Sequence, residues 1–149
     1  MEAGVARRGV AWACYQAADF LEARNHCERT LEACNPENES ETQERFQNAT
    51  GPLVMSVLAV TMWQLGEVDR AREMIDQANS RGSKLDHGPS MAHPLFWKSR
   101  LEVLRGDPAA ALRAAEALDA LGQEHGTPFW RLDARLNAAW ARASEKSAA

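Results

Sequence analysis

The sequence predicts an all-α chain of three antiparallel helical hairpins followed by a seventh helix. Three observations carry that prediction. A short pattern recurs along the chain, as Ala18-Asp19-Phe20-Leu21-Glu22-Ala23, Gly66-Glu67-Val68-Asp69-Arg70-Ala71 and Gly106-Asp107-Pro108-Ala109-Ala110-Ala111. Each copy has a small residue, an acid, an apolar residue, two variable positions and an alanine. After each copy, small or apolar residues return at steps of four and three, which place them on one face of a helix. The segment from Pro128 to Arg142 carries a helical stripe of its own, with Phe129, Leu132, Leu136, Trp140 and Ala143 in line.

The hairpins follow in order. Val10, Ala11 and Cys14 lead into the first turn, and Ala23, Cys27 and Thr30 lead out of it. Leu58, Ala59 and Met62 precede the second, and Ala71, Ile75 and Ala78 follow it. Ala111, Ala115 and Leu118 follow the third. A small residue at each turn lets the first helix end in a left-handed conformation. Asp107-Pro108 reads as an N-cap followed by a first-turn proline. The hairpins are expected over about residues 4–34, 52–81 and 89–124, and the last helix over about 128–143, with Ser144 to Ala149 frayed. In that last helix Arg131, Arg135, Asn137 and Arg142 are expected to point away from the buried stripe.

Successive turns, at Ala18, Gly66 and Gly106, lie 48 and 40 residues apart. The extra length falls in two expected loops. One is Asn35 to Gly51, polar and without a helical stripe, and the other is around Arg81 to Pro89, with Gly82 and Gly88. Added loop length costs little free energy, so it does not prevent the hairpins from stacking.

This arrangement resembles the tetratricopeptide repeat (TPR), whose unit of about 34 residues sets small residues where its two helices cross. Ala11 and Ala59 stand at the small position of the first helix, and Ala23, Ala71 and Ala111 at the alanine of the second. Ser99 replaces the small residue in the third unit, and Thr30 and Leu118 stand where a second alanine is usual. The resemblance implies a TPR-like solenoid in one domain, whose seventh helix is either the first helix of a fourth unit or a capping helix.

A narrower resemblance spans Val10 to Arg142. The strings Glu22-Ala23-Arg24-Asn25-His26-Cys27-Glu28-Arg29-Thr30-Leu31, Arg45-Phe46-Gln47-Asn48, Trp63-Gln64-Leu65-Gly66, Leu104-Arg105-Gly106-Asp107 and Gly126-Thr127-Pro128-Phe129-Trp130 are similar to the C-terminal helical-repeat region of bacterial signalling proteins. Those proteins join a class III adenylate/guanylate cyclase domain to an AAA-type ATPase. This sequence has no phosphate-cradling Gly-x-x-x-x-Gly-Lys and no paired-Asp cyclase signature. The resemblance therefore implies an interaction region and not a cyclase.

Composition narrows the function classes. The chain has 149 residues, 45% hydrophobic and 26% charged, with a net charge of −4. That balance argues against nucleic acid as a partner. Much of the negative charge is local, since Asn35 to Thr50 holds Glu37, Glu39, Glu41 and Glu44 against Arg45 alone. No apolar run nears the ~20 residues that span a bilayer, so no membrane partner is expected. Met1 to Arg8 lack the long apolar stretch of a secretory signal, so the cytoplasm is the expected compartment.

The side chains that carry chemistry do not assemble into an expected catalytic, metal or cofactor site. None of His26, His87, His93 and His125 stands four residues from another histidine, as a helical zinc pair needs. Cys14, Cys27 and Cys34 are expected as reduced thiols, with Cys14 and Cys27 facing each other across the first hairpin. There is no Gly-x-Ser-x-Gly elbow. An enzyme is not expected.

Trp12, Trp63, Trp97, Trp130 and Trp140 make five tryptophans. Two roles are open to them, filling between helices or lining a binding surface, because aromatics are enriched in both settings. In a TPR stack the first helices face the concave side. That register brings Trp12, Tyr15 and Gln16, then Val60, Trp63 and Gln64, then Phe96, Arg100 and Val103 to one surface, a plausible groove for a peptide or partner domain. Protein–protein interaction is the expected function. The alternative is a regulatory sensor piece whose stack binds a small effector, which a buried apolar pocket with converging polar groups would favour. A third reading is a fragment with no separate activity, which apolar surface exposed at Met1 to Val10 or after Pro128 would favour, because cut solenoids expose their stacking faces; such ends would also give a route to a homo-oligomer.

Overall fold

A computed structural model describes residues 2–35, 44 and 49–148. Among these there are seven helices and no strand: α1 (Glu2–Gln16), α2 (Phe20–Ala33), α3 (Thr50–Gln64), α4 (Val68–Gly82), α5 (Gly88–Arg105), α6 (Pro108–Glu124) and α7 (Pro128–Ala148). The fold is all-α.

The recurring sequence pattern produces a recurring turn. Ala18, Gly66 and Gly106 take left-handed φ values of 60°, 83° and 70°. The next residue in each case, Asp19, Glu67 or Asp107, donates its backbone N–H to the carbonyl of Cys14, Met62 or Glu102 at 2.9, 2.9 and 3.1 Å. This is the bond that closes a Schellman cap. The same three residues then start the following helix, because their carbonyls accept from Ala23, Ala71 and Ala111 at 2.9, 2.9 and 3.0 Å. Asp19 and Asp107 add a side-chain N-cap, to the N–H of Glu22 at 3.2 Å and of Ala110 at 2.9 Å. Glu67 instead turns its carboxylate to Arg24 on α2, at 2.5 Å, and to Arg70. A fourth turn of the same kind joins α6 to α7, with Gly126 at φ 64° and Thr127 N–H bonded to the Gly122 carbonyl at 2.8 Å.

Each helix packs on the next, and α1, α3, α5 and α7 also touch in succession. The small residues expected at the crossings are inside. Ala11, Ala23, Ala59, Ala71, Ser99 and Ala111 are all buried, as are Thr30 and Leu118. A larger core gathers Leu58, Met62, Ile75, Trp97 and Leu101, and a smaller one gathers Ala92, Leu118, Leu121 and Ala134. Gly82, where α4 turns toward α5, permits a close approach, since a Cβ there would lie 2.6 Å from the Ser90 carbonyl oxygen.

Three expectations are revised. The loop expected from Asn35 to Gly51 lies largely outside the described residues, but its end does not: Ala49, Thr50 and Gly51 are buried, and α3 starts at Thr50. The Ala49 N–H donates to Ser90 Oγ at 3.2 Å and ties the start of α3 to α5. The tail does not fray at Ser144, for α7 runs on to Ala148, through alanine, glutamate and lysine, which favour helix.

The third revision concerns the face of α7. The expected core stripe points outward, with Phe129, Leu132 and Leu136 exposed at 62, 72 and 66%. The buried face is Asp133, Ala134, Asn137, Ala138 and Ala141. Ala115 of α6 lines one surface groove with Ala134 and Ala138 of α7, and small residues on both helices let the axes approach closely. Of the residues expected to point away, Asn137 is inside, Arg131 and Arg135 reach Asp119, and Arg142 reaches Glu116.

Candidate functional site

Alternate helices line one cleft. α1 contributes Arg8, Gly9, Trp12, Tyr15 and Gln16; α3 contributes Leu53 and Val57; α5 contributes His93, Phe96, Trp97 and Arg100; α7 contributes Phe129 and Trp130. The cavity volume is about 830 Å³.

Its walls are a chain of aromatic rings. Trp12 stacks on Tyr15 at 5.5 Å and meets Trp97 edge-on at 5.5 Å. Trp97 meets Phe96 at 5.1 Å, and Phe96 lies 5.8 Å from Phe129. Spacing explains the series. Trp12 and Tyr15 are three residues apart on α1, as are His93 and Phe96 on α5, so each pair shares a helix face.

Arg100 sits at the rim with its guanidinium 4.3 Å from the Phe96 ring centroid. Its charge is already matched, since it bonds the buried Asp133 carboxylate at 2.5 Å. Asp133 also accepts from Asn137 at 3.1 Å, so Arg100 is held by a network from α7. The polar groups deeper in the cleft differ. Nη1 of Arg8 and Nδ1 of His93 are buried and have no hydrogen-bond partner. Burial lowers the Arg8 pKa, partly offset by the nearby Cys34 thiol. Burial, then the positive Arg8, push the His93 pKa down to about 4, so the ring is neutral near pH 7.

Of the residues the sequence places on a binding surface, Trp12, Tyr15, Gln16, Phe96 and Arg100 come together in this cleft. Val60, Trp63 and Gln64 do not. Val60 is 2% exposed in the core, Trp63 is half-buried against that core, and Gln64 is exposed away from the cleft. The cause lies in α3, which is buried along most of its length, from Thr50 to Pro52 and from Val54 to Met62. α1 and α5 both pack on it, and their rings meet across it through Trp12 and Trp97. The surface α3 was expected to offer is therefore largely closed, and only Leu53 and Val57 near its start reach the cleft.

Sequence reasoning missed Arg8, His93, Trp97, Phe129 and Trp130 as lining residues. His93 stands four residues before Trp97, a spacing that puts both on one side of α5. Phe129 was assigned to the apolar stripe of α7, and Trp130, beside that stripe, carried no spacing signal.

The cysteines are all free thiols. Burial, then Glu28 and Cys14, raise Cys27 to about 12, which makes it unreactive. Among the described residues no group of three His, Cys, Asp or Glu side chains is placed to hold a metal ion, and no helix is long and apolar enough to cross a membrane. No family model matches the chain, and no curated protein or solved structure matches it.

Proposed function

We propose that this chain is a protein-interaction scaffold of the TPR kind, a solenoid that holds a segment of a partner protein in its aromatic cleft. One observation carries the reading. Every described residue that lines the cleft comes from α1, α3, α5 or α7, and none comes from α2, α4 or α6. In a stack of helical hairpins, the first helices together form the concave face, which such proteins use for binding. Rigid aromatic rings give large contact area at low entropic cost, with polar groups beside them to orient a ligand.

The sensor alternative has its own support in the cavity volume of about 830 Å³, which falls in the range of small-molecule sites.

Site-specific photo-crosslinking tests the reading. p-Benzoylphenylalanine in place of Gln16, at the cleft, is expected to give discrete protein adducts in the native host. The same probe in place of Gln77, exposed on α4, is expected to give none of them. Identical adducts from both positions, or none from Gln16, would remove the cleft as a surface that holds a protein partner.

A further inference from the structure

Covered behind the lining of the cleft are two nitrogen atoms that the protein leaves unsatisfied, Nη1 of Arg8 and Nδ1 of His93. The chemistry of each can be assigned. The other ring nitrogen of His93, Nε2, lies 3.4 Å from the indole nitrogen of Trp97. An indole N–H can only donate, so Nε2 is the acceptor and the proton of the neutral ring sits on Nδ1. A guanidinium nitrogen is likewise a donor. Both orphans are therefore buried N–H donors without an acceptor. Their residues come from α1 and α5 and line the same cleft, so a small turn of each side chain would present its donor to a ligand there. A buried donor without a partner is costly, and a native protein that keeps one has a reason to do so.

The surroundings say what the missing acceptor is. Among the described residues the lining includes Arg8 and Arg100 and no Asp or Glu. Arg100 is taken up by Asp133, and the group beside Arg8 is the Cys34 thiol. A single charge is therefore available, with two N–H donors to direct it. A carboxylate has one charge and two oxygens, which matches. A phosphate carries nearly two charges and more acceptors than these donors serve, and the excess would be buried unpaired. Around the donors stand the rings of Trp12, Phe96 and Trp97, which suit a flat apolar body.

We propose that the cleft binds a carboxylate carried on an aromatic body, with the carboxylate on Arg8 and His93 and the body against the indole and phenyl rings. This rests on the reading of the cleft as the working surface. The carboxylate belongs either to a free small acid or to an acidic segment of a protein partner, and the chemistry of recognition is the same for both.

Calorimetric titration of the intact chain with phenylacetate and with phenylacetamide tests it. The two probes share a ring and differ in charge. Phenylacetate is expected to bind about tenfold more tightly than the amide at neutral pH, as charge-assisted hydrogen bonds require. Arg8→Met is expected to erase that preference. Should Arg8→Met fail to fold by circular dichroism, the unmodified chain decides: the His93 Nδ1 resonance is expected to shift further with phenylacetate than with phenylacetamide when each is saturating. Equal affinity for acid and amide, absence of phenylacetate binding, or a His93 resonance that moves no further with the acid than with the amide would each overturn the proposal. The Gln16 photo-crosslink separates the sources. Adducts that phenylacetate suppresses place the carboxylate on a protein partner. Phenylacetate binding without Gln16 adducts makes the ligand a free acid, so that the scaffold reading falls and the carboxylate site stands. Gln16 adducts with no preference for acid over amide leave the scaffold reading standing and the carboxylate site refuted.

Discussion

Asn137 donates its side-chain amide to the Ser99 hydroxyl at 2.6 Å, inside the contact between α7 and α5. The same amide nitrogen bonds Asp133, which holds Arg100 at the rim of the cleft. A polar run thus crosses from the packing of α7 to a residue of the binding surface. Asn137→Ala is expected to lower stability by about 1–3 kcal/mol, since it leaves buried polar partners unmatched. Ser99→Ala is expected to cost less, because Asn137 keeps its bond to Asp133. Urea titrations of both variants check the order, and equal losses would mean that the network is not organised around Asn137.

The repeated turns make a paired prediction. An added Cβ at Gly106 meets nothing within 4 Å, so Gly106→Ala tests backbone conformation alone. It is expected to cost about 1 kcal/mol, the penalty of a left-handed alanine. Ala18 already bears that penalty at φ 60°. Ala18→Gly relieves it and adds chain entropy to the unfolded state, for a net gain of up to about 1 kcal/mol. Opposite signs are expected in thermal melts of the two variants. A loss at Ala18→Gly would show that the methyl group itself matters there.

The turns were legible because their signal is local. A small residue followed by an acid marks the end of one helix and the start of the next, and the structure puts left-handed φ values at Ala18, Gly66 and Gly106. The crossing alanines were legible for a similar reason, since a small residue on a helical stripe states how near a neighbour comes. The face of α7 was not. Phe129, Leu132 and Leu136 form the most hydrophobic side of that helix, yet the side that packs is set by the alanines of α6. The exposure of α3 was misread in the same way. Whether Val60 lines a surface depends on where Trp12 and Trp97 meet, and no spacing within α3 records that.

That misreading of α7 yields a measurable contrast. Leu132→Ala, at a position 72% exposed, is expected to change stability by no more than about 0.5 kcal/mol. Leu118→Ala, on α6 and fully buried, is expected to cost about 2–5 kcal/mol. Comparable losses in chemical denaturation would mean that the stripe of α7 is covered in solution.

His93 gives a pH dependence with a definite sign. Its folded pKa is about 4, against 6.5 ordinarily. The unfolded chain takes up the proton first as the pH falls, so stability is present above about pH 6.5 and drains away toward pH 4. Between pH 7 and pH 5 the loss from this residue is expected to be roughly 2 kcal/mol. His87 is lowered too, chiefly by burial, and shifts stability the same way. In His93→Gln only the His93 part vanishes. Urea titrations at the two pH values are expected to show a smaller difference for the variant, and an unchanged difference would mean that His93 titrates freely.

Trp12 and Trp63 separate the cleft from the core. Both were expected on one surface, and they have different settings. Trp63 is half-buried against Leu58 and its neighbours in the larger core. Trp12 is 37% exposed, and its ring forms part of the cleft wall between Tyr15 and Trp97. Removing the Trp63 ring takes packing from the core, so Trp63→Ala is expected to lower stability by about 3 kcal/mol. Trp12→Ala gives up two ring contacts, worth about 1–2 kcal/mol together. For ligand capture the order reverses. Under conditions where both variants remain folded, Trp12→Ala is expected to weaken phenylacetate binding and the yield of Gln16 adducts, while Trp63→Ala leaves both near those of the unmodified chain. If Trp63→Ala reduces capture as strongly as Trp12→Ala, the binding surface reaches past Val57 toward the end of α3. The rings of α1 and α5 would then have to part for a ligand to enter, and a shift of Trp fluorescence on ligand addition would report that opening.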